Sequence, residues 1–467
     1  MKRNTKMRIL SMALVAAMAI GSLAGCVSEA PAESSSAPAS SSEAAGGEAS
    51  SEAAATGDVS EVKVGFIWPL TGGSATIGQQ HNDGALMAID EINANGGIKS
   101  LGGAKIVPVV TDSESLPDVG ATQAERLITN ENVPIFTGCY NSAVCLPVAE
   151  VAERYETPFV SQGGVANAVT ESGYKWVVRV NNKATYDVEE MLRGIDLISE
   201  ENGIEVKTYA LIYESTDWGS DNAKIWKEFA DERGWECVLD EPVTVGQSDM
   251  SSQVMKIKAA NPDVVNVSFY TPEMIVFSKA MTANKCNPPL GIWSVGGGSQ
   301  DPAYFEAVEP NEYEYNFVQE DWNVSMPYLY DWAAELNEKV IAEKGYNLNS
   351  FFAQGWTAAY VVYQALEAAG SLDKAAINEA MHGLNITLSE DDHTILSGYP
   401  AIEFDENGQN IHSTGTIIQY QDGVQIAISP AENRTPGYSV ICPIPDDFDT
   451  RGQNSKPWGT PPEVAAE

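Results

Sequence analysis

The chain has 467 residues, of which 27 are basic and 65 acidic, so its formal net charge is −38. Binding to nucleic-acid phosphates needs clustered Lys and Arg side chains, and this balance therefore excludes nucleic acid as a partner. The length exceeds that of one ordinary domain and predicts two compact lobes with a substantial core.

The N-terminus has the features of a secretory signal peptide over residues 1–25. An apolar stretch from Ile9 to Ile20 follows four basic residues, Lys2, Arg3, Lys6 and Arg8. This stretch is shorter than the ~20 apolar residues that cross a bilayer. It is followed by Leu23-Ala24-Gly25-Cys26, which resembles the lipobox of bacterial lipoproteins and predicts lipidation of Cys26. The alternative is an ordinary cleavage site beside an incidental cysteine.

Residues 26–58 consist almost entirely of Ser, Ala, Glu, Gly and Pro. Such a segment has too little apolar surface to offset the entropy lost on ordering, so it is predicted to be a disordered tether. A lipid on Cys26 would hold the folded body at the cell membrane, facing the outside.

The cysteines and histidines give no sign of a metal or redox site. The folded part contains five cysteines without a CxxC pair, Cys139, Cys145, Cys237, Cys286 and Cys442. We expect them to be mostly buried apolar residues rather than a disulfide framework, with a single disulfide as the alternative. HExxH, GxSxG, GxGxxG and phosphate-loop motifs are absent from the sequence. We therefore expect no catalytic residues, no metal and no cofactor.

The first structural unit covers Val62 to Gly97. Apolar residues alternate up to Trp68, a polar loop follows, and a helix with Ala85, Ile89 and Ile92 on one face ends at Gly96-Gly97. This strand, loop and helix form the first half of a parallel α/β unit, with a possible small-molecule shelf at the loop.

Strands and helices then alternate in two series. The predicted strands of the first series are Lys105–Val110, Pro134–Thr137, Thr157–Ser161 and Trp176–Val180, and those of the second are Thr208–Tyr213, Glu236–Glu241, Asp263–Phe269, Leu290–Trp293 and Tyr313–Gln319. The restart predicts an α/β fold with two doubly wound, Rossmann-like lobes that face each other across a cleft.

The last part of the chain breaks this alternation. We predict three consecutive helices that return to the first lobe, at Pro327–Lys344, Phe352–Ala369 and Leu372–Gly383. Ala401 to Tyr420 is predicted to form closing β ribbons. The proline-rich remainder to Glu467 is predicted to wrap the surface.

Several stretches together carry a family resemblance. They are VGFIWPLTG, GALMAIDEINANGGI, LITNENVPIFTG, YKWVVRV, NPDVVNVSFYTPE and PAIEFDENGQ, in this order. In order and spacing the chain resembles the periplasmic leucine/isoleucine/valine-binding proteins, the solute receptors of ABC importers. The resemblance implies a type I periplasmic binding protein whose two lobes are joined by a three-crossing hinge and close on a ligand.

The resemblance also implies boundaries and partners. Residues 59–183 and 324–408 would form the N-terminal lobe, and residues 184–323 and 409–467 the C-terminal lobe and tail. The expected partners are a small-molecule ligand and the permease subunits of an ABC importer, with the receptor itself a monomer. A ligand-sensing receptor that signals to a membrane kinase or chemoreceptor is the alternative function, and an enzyme on the same fold is disfavoured.

The resemblance implies a carboxylate site on the first lobe. Ser142, after Asn141, stands where the family binds the ligand carboxylate at a helix N-terminus, whose N–H groups lack intrahelical partners. A simple N-cap serine is the alternative. The next loop would contribute the carbonyl of Gly163, whereas Val165 stands where the family has a threonine hydroxyl.

The remaining implied contacts come from both lobes. Trp218 and Tyr270 would pack on the ligand or else belong to the core, Ile77 replaces a frequent aromatic, and Trp356 would close the pocket floor. Gly297 stands where the family carries the acid that pairs with the ligand ammonium. A buried ammonium without a counter-ion is costly, so an ordinary α-amino acid should bind poorly unless a nearby acid compensates. The candidates are Glu273, Asp301 and Glu214.

Overall fold

The computed structural model describes residues 59–322, 331–396 and 398–463. The predicted signal peptide, the lipidation site Cys26 and the predicted tether lie outside these residues. None of the helices in the described part of the chain has the length and apolar character needed to span a bilayer.

The first lobe is built on a parallel five-stranded sheet in the order β2-β1-β3-β4-β5. Its strands are β1 (Glu61–Trp68), β2 (Lys105–Asp112), β3 (Phe136–Gly138), β4 (Phe159–Ser161) and β5 (Val177–Arg179). β1 is buried from Val64 onward because helices cover both faces of the sheet, which is the usual environment of a parallel strand.

The helices of this part are α1 (Ala75–Ala94), α2 (Pro117–Thr129), α3 (Ser142–Arg154), α4 (Ala168–Glu171) and α5 (Ala184–Asn202). α1 contributes to the apolar cluster on one face of the first sheet, and α2 and α3 contribute to the cluster on the other face. α5 already belongs to the second lobe, because its apolar face from Val188 to Ile198 packs into the core of that lobe.

The second lobe contains a seven-stranded sheet in the order β14-β13-β10-β9-β8-β6-β7. Its strands are β6 (Thr208–Glu214), β7 (Glu236–Val243), β8 (Val264–Ser268), β9 (Ile292–Val295), β10 (Phe317–Glu320), β13 (Thr416–Gln421) and β14 (Val424–Ser429). β13 runs antiparallel to both β10 and β14, whereas the other neighbours are parallel. The covering helices are α6 (Asp217–Glu232), α7 (Ser251–Ala260), α8 (Thr271–Ala283) and α9 (Pro302–Ala307).

After β10 the chain returns to the first lobe. It forms α10 (Asp331–Lys344), α11 (Ser350–Ala369), α12 (Lys374–His382) and a small antiparallel pair, β11 (Asn385–Thr387) and β12 (Ala401–Glu403). All three helices contribute side chains to the core on the α1 face of the first sheet, as predicted. Residues 327–330 of the first predicted helix lie outside the described residues.

Two glycines bring α1 and α11 into close contact. A Cβ atom at Gly84 would lie 2.1 Å from the carbonyl oxygen of Phe352, and one at Gly355 would lie 1.9 Å from that of His81. Any larger residue would force the two helices apart. This close approach places His81 beside α11, within reach of the cleft described below.

Several predicted strand boundaries are wrong because the backbone conformation of a single residue delays the start of the strand. β9 begins at Ile292 rather than Leu290 because Gly291 has a left-handed backbone, with φ of +77°. β10 begins at Phe317 rather than Tyr313 because Tyr315 has φ of +68°. Neither conformation continues a strand.

One C-terminal prediction needs a correction. The stretch Ala401 to Tyr420 contains the predicted β ribbons, since β12 pairs antiparallel with β11 and β13 pairs antiparallel with β14 in the second sheet. The segment after it was predicted only to wrap the surface, yet β14 is a fully buried strand. The missed signal is Asp422-Gly423, two residues with positive φ that match a tight hairpin turn.

Candidate functional site

A cleft lies between the two lobes, at the C-terminal ends of their parallel strands. Its empty volume is about 510 Å³, including the part that opens to solvent, which suits a small molecule. Both lobes and the connections between them line it, through Tyr140, Ser142, Gly163, Val165, Asn181, Asn182, Asp187, Trp218, Tyr270, Val295, Gly296, Gly297, Gln300, Gln319, Asp321, Phe351 and Gln354.

The predicted Ser142 position is confirmed as the first residue of α3, with Asn141 as the N-cap. The Ser142 hydroxyl oxygen accepts a hydrogen bond of 3.1 Å from the N–H of Ala166, so its own hydrogen is available to another acceptor. The Asn141 side chain donates to the hydroxyl oxygen of Ser74. Asn141 therefore stands behind Ser142 rather than in the cleft lining.

A disulfide between Cys139 and Cys145 spans the loop that carries Ser142. Of the two possibilities left by the sequence, the single disulfide is the one found, while Cys237, Cys286 and Cys442 are free thiols. Both bonded cysteines are buried. The bond closes a ring of only a few residues and so restricts the loop at the N-terminus of α3.

The loop with Gly163 and Val165 is held from behind by Arg179. This fully buried guanidinium donates to the carbonyl oxygens of Gly164 at 2.9 Å and Ala166 at 2.7 Å. It also donates to the side chains of Gln409 and Thr170. Burial lowers the pKa of Arg179 to about 10, so it remains charged at neutral pH. Four of its five N–H bonds are directed at these acceptors, so it holds the loop from behind, and its charge partly offsets the rise in the pKa of Asp187.

Four aromatic side chains, Tyr140, Phe351, Tyr270 and Trp218, form a continuous surface that we call the aromatic wall. Tyr140 meets Phe351 and Tyr270 edge-on, with ring centroids 5.8 and 5.9 Å apart, and Trp218 lies 4.6 Å from Tyr270. The predicted ligand-facing positions of Trp218 and Tyr270 are therefore cleft positions. The buried Nε1–H of Trp218 has no acceptor among the described residues.

Tyr270 reaches from the second lobe to the N-terminus of α3. Its hydroxyl receives hydrogen bonds from the Asn141 side chain and the Ser142 N–H, which partly offset the rise that burial and Glu214 cause in its pKa. The Ser142 N–H, expected from the resemblance to bind a ligand carboxylate, thus faces a tyrosine hydroxyl in this structure.

Three carboxyl groups lie where the chain passes between the lobes, of which Asp187 and Asp321 are buried and Glu190 is partly buried. Burial raises the pKa of Asp187 well above its usual range, and the neighbouring carboxyls of Asp321 and Glu190 raise it further. Burial also raises the pKa of Asp321 to about 6 and that of Glu190 to about 7. Asp187 and Asp321 line the cleft, whereas Glu190 accepts hydrogen bonds from Thr414 and the Gly415 N–H beside it.

Sequence reasoning missed Asp187 and Asp321. Asp187 is in the first turn of α5, and Asp321 directly follows β10. Both acids follow a strand, β5 or β10, after which the chain passes to the other lobe, and an acid in such a passage was the signal available.

The acids considered from the sequence have other partners. Glu214 accepts from the N–H of Gly219, Glu273 from that of Gly246, and Asp301 caps α9. None of the three is among the described residues that line the cleft. Gly297 does line it, and a side chain there would be strained, because φ is +59° and a Cβ would lie 2.9 Å from the Trp218 ring. No carboxylate is accommodated at that position.

Two further predicted residues lie behind the lining. Ile77 packs in a small buried cluster with Tyr140 and Phe351. Trp356 lies in the core of the first lobe, where its Nε1–H donates to the carbonyl oxygen of His393. Neither is among the described residues that line the cleft, so the floor predicted for Trp356 is formed instead by Phe351 and Gln354 of the same helix.

No cluster of three or more metal-ligating His, Cys, Asp or Glu side chains is found among the residues that the structure describes. The described residues that line the cleft offer hydrogen-bonding groups, aromatic surfaces and buried carboxyl groups.

The sequence profile of the periplasmic binding protein family matches residues 61–423, which include both sheets up to the turn after β13. The chain belongs to this family. The resemblance seen in the sequence is thereby confirmed, and the cleft of this periplasmic binding protein corresponds to the space between the two lobes of its fold.

Relatives and solved structures agree with the assignment. The Leu/Ile/Val-binding protein homolog 7 of Brucella abortus (strain 2308) is 29% identical over 382 residues, which cover 79% of this chain and 92% of that protein. The leucine-binding protein LivK from Thermotoga maritima has a TM-score of 0.67 at 23% identity, covering 79% of this chain and 99% of that one.

A solute-binding protein of an ABC transporter from R. palustris, solved with benzoate, also has a TM-score of 0.67, at 17% identity, and covers 82% of this chain and 99% of that one. These likenesses confirm the predicted fold class, two α/β lobes of the type I periplasmic binding proteins. The relatives named are binding proteins rather than enzymes.

Proposed function

We propose that this periplasmic binding protein is the extracytoplasmic receptor of an ABC importer, which captures a small polar solute between its lobes and delivers it to the permease. The observation that carries the proposal is the cleft itself, whose lining combines both lobes and two of the connections between them with several buried polar groups. A ligand bound there would contact both lobes at once and so favour their closure.

The relatives support a ligand of this size. One of the two solved neighbours is named a leucine-binding protein and the other was solved with benzoate; leucine and benzoate are small molecules that share a carboxylate and an apolar body. Of the residues predicted as ligand contacts, we propose Ser142, Gly163, Val165, Trp218, Tyr270 and Gly297 as direct neighbours of the solute, since all six line the cleft. Behind these six residues, and without lining the cleft, would lie Asn141, Ile77 and Trp356.

A solute panel tests the binding function. The purified chain is heated with amino acids, amines, aromatic acids, amides and sugars in turn. A ligand at 100 times its dissociation constant stabilises the folded state by about 2.7 kcal/mol, which raises the melting temperature by about 3 °C for a body of this size. If no small solute in a broad panel raises it, the proposed function fails.

A pair of tryptophan variants locates the binding. Trp218→Leu removes part of the aromatic wall and should weaken the solute found by the panel at least tenfold, about 1.4 kcal/mol. Trp235→Leu is the control, because Trp235 is also buried in the second lobe but does not line the cleft. Equal affinities for the two variants would place the solute elsewhere.

We also propose that a lipid on Cys26 anchors the receptor to the membrane, with residues 26–58 as the tether and a monomeric body. Cys26→Ser should release the protein into the medium of growing cells. Cys237→Ser changes a free cysteine of the folded body and should leave the protein with the membrane fraction. Membrane association of the Cys26→Ser protein would exclude the lipid anchor.

A further inference from the structure

The end of the cleft near the lobe connections is acidic. Asp187 and Asp321 line it, and Glu190 is close enough to raise the pKa of Asp187. No Lys, Arg or His side chain is among the described residues that line the cleft. The buried charge of Arg179 partly offsets the rise in the pKa of Asp187, but the N–H groups of Arg179 donate to the carbonyls and side chains that hold the Gly163 loop rather than to a cleft carboxyl.

A second observation at the same place is the side chain of Asn182. It is 1% exposed and lines the cleft, and among the described residues its Oδ1 has no hydrogen-bond donor and its Nδ2 has no acceptor. A buried amide without partners is costly, and in a binding site it indicates that the partners come from the ligand, including a donor for the amide oxygen. Asn182 lies in the connection between β5 and α5, and Asp187 lies in the first turn of α5 that follows it.

The donors available to Asp321 are neutral. Its Oδ2 accepts from Nε2 of Gln354 at 2.7 Å, and Gln319 also donates to it. Amide donors orient the carboxylate without neutralising it, so its charge remains directed at the cleft.

We propose that this end of the cleft is a cation subsite, in which Asp187, Asp321 and Asn182 accept the N–H groups of a small organic ammonium ion. The apolar body of that ion lies against the aromatic wall, whose ring faces favour a neighbouring positive charge. This inference rests on the proposed solute-binding function and names the chemical class of the solute.

The subsite changes the expectation drawn from Gly297. The missing acid after β9 does not leave a ligand ammonium unpaired, because two carboxyls approach from the connections instead. Two adjacent buried carboxylates are unfavourable because each loses its hydration and because their negative charges repel each other. A cation between them offsets both energetic costs. A purely anionic solute would meet the same carboxyls as a repulsive surface.

Matched solutes test the proposal on the unaltered full chain. One series is phenylalanine, phenethylamine and 3-phenylpropanoate, and a second is leucine, 3-methylbutylamine and 4-methylpentanoate. Within each series the acid lacks only the ammonium and the amine lacks only the carboxylate. By calorimetry, we expect the ammonium-bearing members of the preferred series to bind, and its acid at least about 100-fold more weakly.

Two variants test the residues. Asp321→Asn and Asp187→Asn keep the side-chain shape and remove the charge, and each should weaken an ammonium-bearing solute by about 10- to 100-fold. Glu314→Gln is the control, because Glu314 is equally buried with a pKa raised to about 7 but lies outside the cleft. Its affinity should equal that of the unaltered protein.

The outcomes separate this proposal from the proposed function. A bound solute of any class that lacks a cationic nitrogen, or an acid that binds as tightly as its amino acid, overturns the cation subsite while leaving the solute receptor intact. Absence of any binding in the broad panel overturns the receptor function itself. The solute series keeps the test valid even if an aspartate variant fails to fold.

Discussion

Nε2 of Gln354 donates a 2.7 Å hydrogen bond to Oδ2 of Asp321 and so joins a helix of the first lobe to the end of a second-lobe strand. On its other side, Oε1 of Gln354 lies 2.9 Å from Nε2 of His81. His81 is fully buried and stacks on Trp68, and burial lowers its pKa to about 4. A neutral imidazole thus fixes the amide that orients the cleft carboxylate.

Replacing Gln354 by methionine should disturb this carboxylate without changing the size of the side chain. Asp321 would lose its oriented donor, and we expect the affinity for the solute found by the panel to fall about 5- to 30-fold, as for one lost hydrogen bond to a charged group. Calorimetry at fixed pH measures the change. Gln364→Met is the control, since Gln364 lies on the same helix and its side chain bonds to Thr394 rather than to any described residue that lines the cleft. Equal affinities in both variants would show that the bond does not act on the ligand.

Tyr270→Phe should free the N-terminus of α3. The tyrosine hydroxyl accepts from the Ser142 N–H and the Asn141 side chain, so its removal leaves these donors to a ligand carboxylate. We expect the preference for an amino acid over its amine analogue to increase several-fold, with a stability loss of about 1 kcal/mol. Tyr304→Phe, whose hydroxyl bonds to Ser278 in the second lobe, should leave the preference unchanged. A preference that decreases instead would mean that the hydroxyl itself binds the carboxylate.

The unliganded protein should become less stable as the pH rises from about 6.5 to 8. In the folded state, the pKa is raised to about 6 for Asp321 and to about 7 for Glu190, both of which face Asp187. It is also raised to about 7 for Glu314, which lies outside the cleft. A raised pKa favours the protonated folded state, so its contribution is present at low pH and lost as the pH passes the folded value. His81, with a lowered pKa, acts oppositely but only below this range.

Thermal melts across this range would measure the effect. One such carboxyl contributes about 1 kcal/mol, equivalent to about 1 °C for a body of this size. The Glu190→Gln protein should show a smaller decrease than the unaltered chain, and a saturating ammonium solute should reduce it as well. A melting temperature that rises with pH in the absence of ligand would contradict the raised pKa values.

Arg179→Lys should destabilise the folded protein by about 3 kcal/mol or more. The guanidinium serves four acceptors at once, and an ammonium on a flexible stem cannot satisfy them in the same geometry. The guanidinium also positions the Gly163 loop and the Ala166 N–H group that donates to the Ser142 hydroxyl. Solute affinity should therefore fall as well. The control is Arg233→Lys, at a partly exposed ion pair with Asp196, which should cost less than about 1 kcal/mol. Urea titration of both variants measures the difference.

Much of the fold could be read from local patterns. The first unit from Val62 to Gly97 was predicted as strand, loop and helix, and the structure has β1 and α1 there. Errors arose where a single backbone conformation overrides side-chain pattern, as at Gly291 and Tyr315. The hairpin of β13 and β14 was not predicted although Asp422-Gly423 marks its turn. The many prolines after Tyr420 favour a surface segment and so obscured the strand β14.

The site was predicted in part. Ser142, Trp218 and Tyr270 all reach the cleft, since each follows a strand or opens a helix at the same edge of its sheet. Trp356 does not line it, because its place on α11 turns it toward the first-lobe core, while Phe351 and Gln354 face the opening. A helix buried on all sides has no pattern that identifies its cleft-facing residues.

By itself, the sequence determined the two-lobed α/β architecture, the order of its elements and the strand ends that meet at the cleft, because these follow from hydrophobic periodicity and turn residues close together in the chain. Only the tertiary structure decided the charge of the cleft. Asp187 and Asp321 are separated by more than half of one lobe in sequence, and they become neighbours only because two crossings of the chain pass side by side between the lobes. Burial then changes their protonation, a property that no local pattern carries.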